Sequence, residues 1–187
     1  MGSISNNIEI IDKALSPKDF TELHSVASRK DISWHYFRNY HTRDGEVDDP
    51  STHGFVHNFF DNNTVYSDHI QLLEPLFEKI SVHFSCPITL VRIKMNMTLN
   101  VGKQVRLYPH VDRPEAIGNP NFKTAIYYVN DSDGDTLFFD ETNTVIHQQT
   151  PKRNTLVIFD GSTFHAPQLP LIKPNRIVIN INVILDR

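Results

Sequence analysis

The sequence predicts a mainly β protein with N-terminal helices, a helical first part packed on a C-terminal β-sandwich or jelly-roll barrel. Three observations carry this. From Cys86 onward, seven or more short runs of strand-forming residues follow one another. Turn clusters such as Asn130-Asp131-Ser132-Asp133-Gly134, Asp140–Asn143 and Pro151-Lys152-Arg153-Asn154 separate them. Before Cys86 the apolar spacing is instead helical, and 187 residues suit one domain, with 1–85 as its helical and irregular part and 86–187 as its barrel.

In order along the chain, Ser16-Pro17-Lys18-Asp19 is a helix start. It has a hydroxyl cap, proline at the first helical position and a carboxylate three residues after the cap. Phe20, Leu23 and Val26–Ala27 follow at helical spacing. A second helix is expected from about Ser67 to Phe84, with Ile70, Leu73, Phe77 and Ile80 on one face and Pro75 as a kink or the true beginning. Between the helices, Trp34 to Asn63 is rich in His, Asp, Gly and aromatics and reads as irregular chain. In the barrel, Val91, Ile93, Met95, Met97 and Leu99 alternate with Arg92, Lys94, Asn96 and Thr98, the period of a strand. Further strands are expected at Gln104–Tyr108, Lys123–Asn130, Thr136–Asp140, Thr144–Gln149, Thr155–Asp160 and Arg176–Leu185.

Composition excludes several classes. Eighteen Lys and Arg against 22 Asp and Glu give a net charge of −4 without a block of like charges, so no basic stripe serves nucleic acid. The single cysteine, Cys86, allows no internal disulfide and favours a reducing compartment, the cytoplasm. No apolar run approaches the roughly 20 residues that span a bilayer.

The candidate chemistry begins at His110-Val111-Asp112. Residues i and i+2 of a strand share a face, so Tyr108, His110 and Asp112 are expected to look into the barrel. The pair alone carries little weight: 10 His and 15 Asp in 187 residues give about 0.8 His-x-Asp by chance. His165, late in the β region, and Arg176, at the start of the last strand, change that. Arg176, Val178, Asn180 and Asn182 alternate with Ile177, Ile179 and Ile181, which puts the arginine on an inward, partly polar face. An arginine there needs an anion, and its planar fork suits a carboxylate. Two His and one Asp with open positions is the metal set of non-heme Fe(II) oxygenases.

At these residues the chain resembles the Fe(II)/2-oxoglutarate-dependent oxygenases, most closely their prolyl-4-hydroxylase-like branch and short phage-encoded members. The resemblance covers about the last hundred residues, with His110-Val111-Asp112, Thr124–Asn130, Gly134–Phe139, His165 and Arg176, and extends to Phe55–Asp61. It implies a double-stranded β-helix (jelly-roll) core, Fe(II) held by His110, Asp112 and His165, and Arg176 on the distal carboxylate of 2-oxoglutarate. Tyr127 is expected to add a hydrogen bond to that carboxylate. Where prolyl hydroxylases place a tyrosine on the strand before His-x-Asp, this chain offers Asn96 or Lys94. It also has Gly134-Asp135-Thr136-Leu137 in place of a Gly-Gly-x-Leu turn, and Arg176 lies eleven positions after His165 through Pro167, Pro170 and Pro174.

The implied activity is dioxygen-dependent hydroxylation of a C–H bond, prolyl 4-hydroxylase-like, on a peptide or free proline in the cytoplasm, or the host-cell cytoplasm for a phage protein. Asp112 argues against halogenating relatives, which lack the carboxylate. The alternatives are an oxygenase of another amino acid or small metabolite, and a non-catalytic jelly-roll binding module; neither nucleic acid nor membrane is an expected partner. Among other residues, Trp34, Tyr36 and Phe59 either line the entrance or close the barrel against the helices. His57 is more readily a stacked histidine than a substrate contact, and the spacing of His35, His41, His53 and His57 matches no zinc pattern.

Overall fold

The structure, a computed structural model, describes residues 8–29, 32–38 and 53–187. Its elements run β1 (Glu9–Asp12), α1 (Pro17–Ala27), β2 (His35–Phe37), β3 (Gly54–Asp61), β4 (Thr64–Val65), a 3₁₀ segment (Asp68–Leu73), α2 (Glu74–Phe84) and β5 (Ile88–Leu99). There follow β6 (Phe122–Tyr128), β7 (Thr136–Phe139), β8 (Val145–Gln149), β9 (Thr155–Asp160), β10 (Phe164–Pro167) and β11 (Asn175–Leu185).

The helices start where their caps dictate. Ser16 Oγ accepts the backbone N–H of Asp19 at 3.2 Å, and Pro17 opens α1, where its missing N–H leaves nothing unsatisfied. Pro75 stands in the first turn of α2, so it marks a beginning rather than a kink, and the turn before it is 3₁₀. Ser85 at φ 52° ends the helix in the left-handed conformation. Among the described residues no helix is long and apolar enough to cross a membrane.

The strands form two antiparallel sheets. The larger has the order β1-β9-β6-β11-β5-β3-β2, with β4 on β3; the smaller is β10-β7-β8. One face of the larger sheet, with Ile93, Met95, Tyr127, Ile179 and Ile181, packs on Leu23, Leu76 and Ile80 of the helices. The other face, with Ile126, Tyr128, Val157 and Val178, meets Phe138 of the smaller sheet. This is the mainly β jelly-roll that the alternating pattern predicts, with helices on one side only.

Three expectations about elements are corrected. Gln104–Tyr108 is no strand: only Arg106 forms an isolated bridge, to Gln168, and Tyr108 is 39% exposed rather than turned into the barrel. Trp34–Asn63 is not wholly irregular, because β2 and β3 extend the larger sheet and β3 pairs along β5. A register shift between Asn58 and Phe60 and apolar residues on both faces hide the period of two there. Positions 39–52 of that stretch, including His41, lie outside the described residues. Three short strands, β1, β4 and β10, are also absent from the sequence pattern, being only two to four residues long.

Ile80 is fully buried between α2 and the sheet. Ile80→Ala is expected to lower the unfolding free energy by about 2–5 kcal/mol in urea denaturation; a loss under about 1 kcal/mol would mean that α2 does not dock as described.

Candidate metal centre

His110 and His165 face each other across an isolated antiparallel bridge. The backbone N–H of each donates to the carbonyl of the other at 3.0 Å. Since β10 is also paired to β7, the smaller sheet fixes the position of His165 and, through the bridge, that of His110. The two rings stand 4.7 Å apart between centroids. Asp112, two residues beyond His110, turns its carboxylate between them: Oδ1 lies 3.9 Å from His110 Nε2, and Oδ2 lies 3.9 Å from His165 Nε2. One ligand atom from each residue falls within 4.8 Å of the others.

The tautomers follow from the surroundings. His110 Nδ1 donates to Tyr108 O at 3.2 Å and His165 Nδ1 to Thr163 O at 3.1 Å, so each Nε2 presents a lone pair to the shared point. His165 Nε2 is buried without a hydrogen-bond partner. Leaving a buried polar atom unbonded costs about 1–3 kcal/mol, and a cation at this point would remove the deficit. The donor set of two imidazoles and a carboxylate therefore fits a divalent transition metal.

Protonation states agree. Burial, reinforced by His165, pushes the His110 imidazole down to about 3, and burial likewise lowers His165, so both are neutral ligands near pH 7. Burial alone would raise the Asp112 carboxyl, but His165, Lys94 and Arg92 outweigh it and hold the group well below its usual range. The carboxylate, 1% exposed, accepts from Arg92 Nη2 at 3.0 Å and from Asn182 Nδ2 at 3.1 Å, with Asn180 Nδ2 at 3.3 Å. Burial also brings Lys94, on the same inward row of β5 as Arg92, down to about 8 against the pull of Asp112.

From His110 and His165 a narrow cleft of about 20 Å³ leads past Asn96 and Val178 to Thr136 and Arg176. On β11 Asn180 and Arg176 are four residues apart on one face, roughly 13 Å along the strand. Arg176, 4% exposed, donates from Nε to Gly134 O at 2.8 Å and from Nη2 to Thr136 Oγ1 at 2.7 Å. Its guanidinium lies 5.8 Å from the ring centre of Tyr128, whose hydroxyl donates to Thr136 Oγ1 at 2.8 Å. Asn96 Oδ1, Thr98 Oγ1 and Asn180 Oδ1 are buried without hydrogen-bond partners, all on the inward rows of β5 and β11.

The structure thus brings together His110, Asp112, His165, Asn96 and Arg176, and it does not bring Tyr127. That side chain points to the helices, where its hydroxyl donates to Asn154 Oδ1 at 3.2 Å. Tyr128 takes the place beside Arg176, because β6 pairs Tyr128 with Val178, in phase with Arg176, and Tyr127 with Ile179. A doublet of tyrosines offers no local signal to choose between them. Sequence reasoning also assigned no role to Arg92, Asn180 and Asn182, although all three stood in the polar phase of their strands. His57 is buried, bonded to Ser33 O and Ser67 Oγ at 2.9 Å each, and set edge-on to Phe59. Trp34 and Phe59 pack in the core under the helices, while Tyr36 is exposed beside His53. Among the described residues the triad is the one cluster with metal-binding spacing.

No protein-family model matches the chain, and no curated protein matches it in sequence. Solved structures do match in fold. An oxidoreductase of the 2OG-Fe(II) oxygenase family from Burkholderia pseudomallei aligns with a TM-score of 0.72 at 12% identity, over 95% of this chain and 84% of that one. A prolyl hydroxylase from Trichoplax adhaerens, solved with a peptide fragment of a hypoxia inducible factor oxygen degradation domain, aligns at 0.67 and 14% identity, over 97% and 85%. HygX from Streptomyces hygroscopicus, with nickel and 2-oxoglutarate bound, aligns at 0.63 and 10% identity, over 97% and 84%.

The lowered His110 also links folding of the metal-free protein to pH. Between its ordinary value of 6.5 and its folded value of about 3, the unfolded chain binds the extra proton. The stability contribution is therefore complete above 6.5 and declines as pH falls toward 3. Urea midpoints of metal-free protein are expected to drop across that window, with a shallower slope in His110→Gln; an equal slope would show that His110 is not held neutral.

Proposed function

We propose that this chain is an Fe(II)- and 2-oxoglutarate-dependent dioxygenase that hydroxylates a C–H bond. The observation that carries the reading is a cleft lined at one end by both histidines of a two-histidine, one-carboxylate cluster and at the other by a buried, two-point-anchored arginine. His110, Asp112 and His165 would hold the iron, leaving positions for a keto-acid and dioxygen. Arg176 would pair with the distal carboxylate of 2-oxoglutarate, supported by Thr136 and Tyr128, and Asn96 would offer its amide midway along the cleft. Bound iron would supply oxidation coupled to decarboxylation: 2-oxoglutarate, dioxygen and a C–H bond give succinate, carbon dioxide and a C–OH group.

The protein's own part is to position and to exclude water. Arg92, Asn180 and Asn182 orient the Asp112 carboxylate, and the two backbone carbonyls, by taking the Nδ1 protons, leave both Nε2 lone pairs for the metal these residues would hold. For the substrate, we favour a prolyl residue in a peptide or free proline, in line with the fold shared with the Trichoplax adhaerens prolyl hydroxylase. A second reading, another amino acid or small metabolite, draws support from Lys94, a buried cation within electrostatic reach of Asp112, Arg92, Asp61 and Arg113.

Succinate production with Fe(II), 2-oxoglutarate and air is the test, run with proline-rich peptides, free proline and other amino acids. Stimulation by the peptides or proline is expected, and stimulation by another amino acid alone would replace the substrate reading. Absence of succinate in every arm, with iron shown to be bound, would overturn the oxygenase reading. Arg176→Met is expected to weaken 2-oxoglutarate binding roughly 10- to 100-fold while iron affinity holds; equal losses would make Arg176 structural.

A further inference from the structure

Arg176 enters the cleft at the end of a connection that has little apolar packing at its crest. Leu171 is 45% exposed and Ile172 81% exposed. Asn100 holds one side of this crest, donating from Nδ2 to Leu171 O at 2.6 Å and from its backbone N–H to Pro174 O at 3.0 Å, and the turn between β6 and β7 holds the other. Asp133 Oδ2 accepts the backbone N–H groups of Leu171 at 3.0 Å and Ile172 at 2.8 Å, and Oδ1 accepts that of Lys173 at 2.9 Å. Three successive N–H donors converge on one carboxylate, an anion-binding concavity that the chain fills with its own side chain. Slight burial pushes the Asp133 carboxyl up, but the three donors outweigh it and keep the group below the usual carboxylate range.

The same turn touches the connection at both of its ends. Gln168 N–H donates to Asp135 O at 2.7 Å, and Asn130 Oδ1 accepts the N–H of Ile177 at 2.8 Å. Gly134, next to Asp133, lies so close that a Cβ there would meet Gln168 O at 2.5 Å, Pro170 N at 2.9 Å and Arg176 Cδ at 3.2 Å. Its carbonyl is also the acceptor for Arg176 Nε. The carboxylate clamp and the arginine's own anchor are thus adjacent residues of one turn.

We infer that Asp133 is a positioning residue for the cosubstrate: by clamping residues 171–173 onto the β6–β7 turn, it presents the Arg176 guanidinium to the cleft in its binding geometry. The inference rests on the 2-oxoglutarate reading of the cleft and deepens it. Without the clamp, residues 171–173 of the seven-residue connection lose three of the hydrogen bonds that order them, so that order would have to be restored each time the carboxylate binds, and affinity would fall by that entropy. With it, the ordering is complete on folding.

The test compares 2-oxoglutarate binding to anaerobic, Fe(II)-loaded protein by calorimetry, with iron affinity measured separately. Asp133→Ala is expected to weaken 2-oxoglutarate about tenfold or more with iron affinity within about twofold of wild type, and Asp133→Asn, which keeps one acceptor oxygen, to fall between. Asp140→Ala is the control. Asp140 likewise accepts two backbone N–H groups, of Thr142 and Thr144, but at the far end of β7 from Thr136. It is expected to lower the unfolding midpoint and leave 2-oxoglutarate affinity unchanged. Wild-type affinity in Asp133→Ala, or parallel losses in Asp133→Ala and Asp140→Ala, would overturn the inference. Should Asp133→Ala fail to fold, Asp133→Asn decides on the same readings. If wild-type protein binds iron yet takes up no 2-oxoglutarate, the oxygenase reading itself fails, and this inference with it.

Discussion

Strand β11 is buried on both faces from Arg176 to Val183, and the site is organised by that constraint. Ile177, Ile179, Ile181 and Val183 fill the core under the helices. Arg176, Val178, Asn180 and Asn182 therefore face the smaller sheet, where a polar group is costly unless it is bonded. Their partners are the site: Gly134 and Thr136 for the arginine, the Asp112 carboxylate for both asparagines. A slip of one residue against β5 or β6 would exchange the two sets, so the hydrophobic core and the polar cleft enforce the same register.

Electrostatics in the cleft is a balance of burial against neighbours. Burial disfavours charge on every group, which keeps His110 and His165 neutral. Asp112 escapes that outcome because Arg92, Lys94 and two asparagine amides surround it. An ionised carboxylate between neutral imidazoles is the state a divalent cation needs, and it is present before any ion arrives. At the other end of the cleft the Arg176 guanidinium is held by two neutral acceptors, Gly134 O and Thr136 Oγ1.

Strands supply most of the inward groups, yet two of the decisive side chains arrive on irregular chain. Asp112 lies outside any strand and is located by the His110–His165 bridge two residues earlier. Arg176 follows a proline-containing connection whose exposed crest, residues 171–173, is bonded to Asp133. Backbone N–H groups and carbonyls, not side-chain packing, thus set the two ends of the cleft. The fold is shared with solved structures at 10 to 14% identity.

Much of this was legible in the residues alone. The cap at Ser16, the alternation along β5 and β11, and the set His110, Asp112, His165 and Arg176 are local patterns or chemical types that stand out without a partner strand. The rest was not. β3 hides its period behind a bulge and apolar residues on both faces, and Gln104–Tyr108 has a strand-like composition but lacks a partner strand along its length. The choice between Tyr127 and Tyr128, and the roles of Arg92, Asn180 and Asn182, depended on which residues lie opposite in the sheet. A period of two tells which residues share a face but not which face is inward. That phase is set by pairing with segments far along the chain, so the sequence offered the candidate residues while the assembled sheets assigned their geometry.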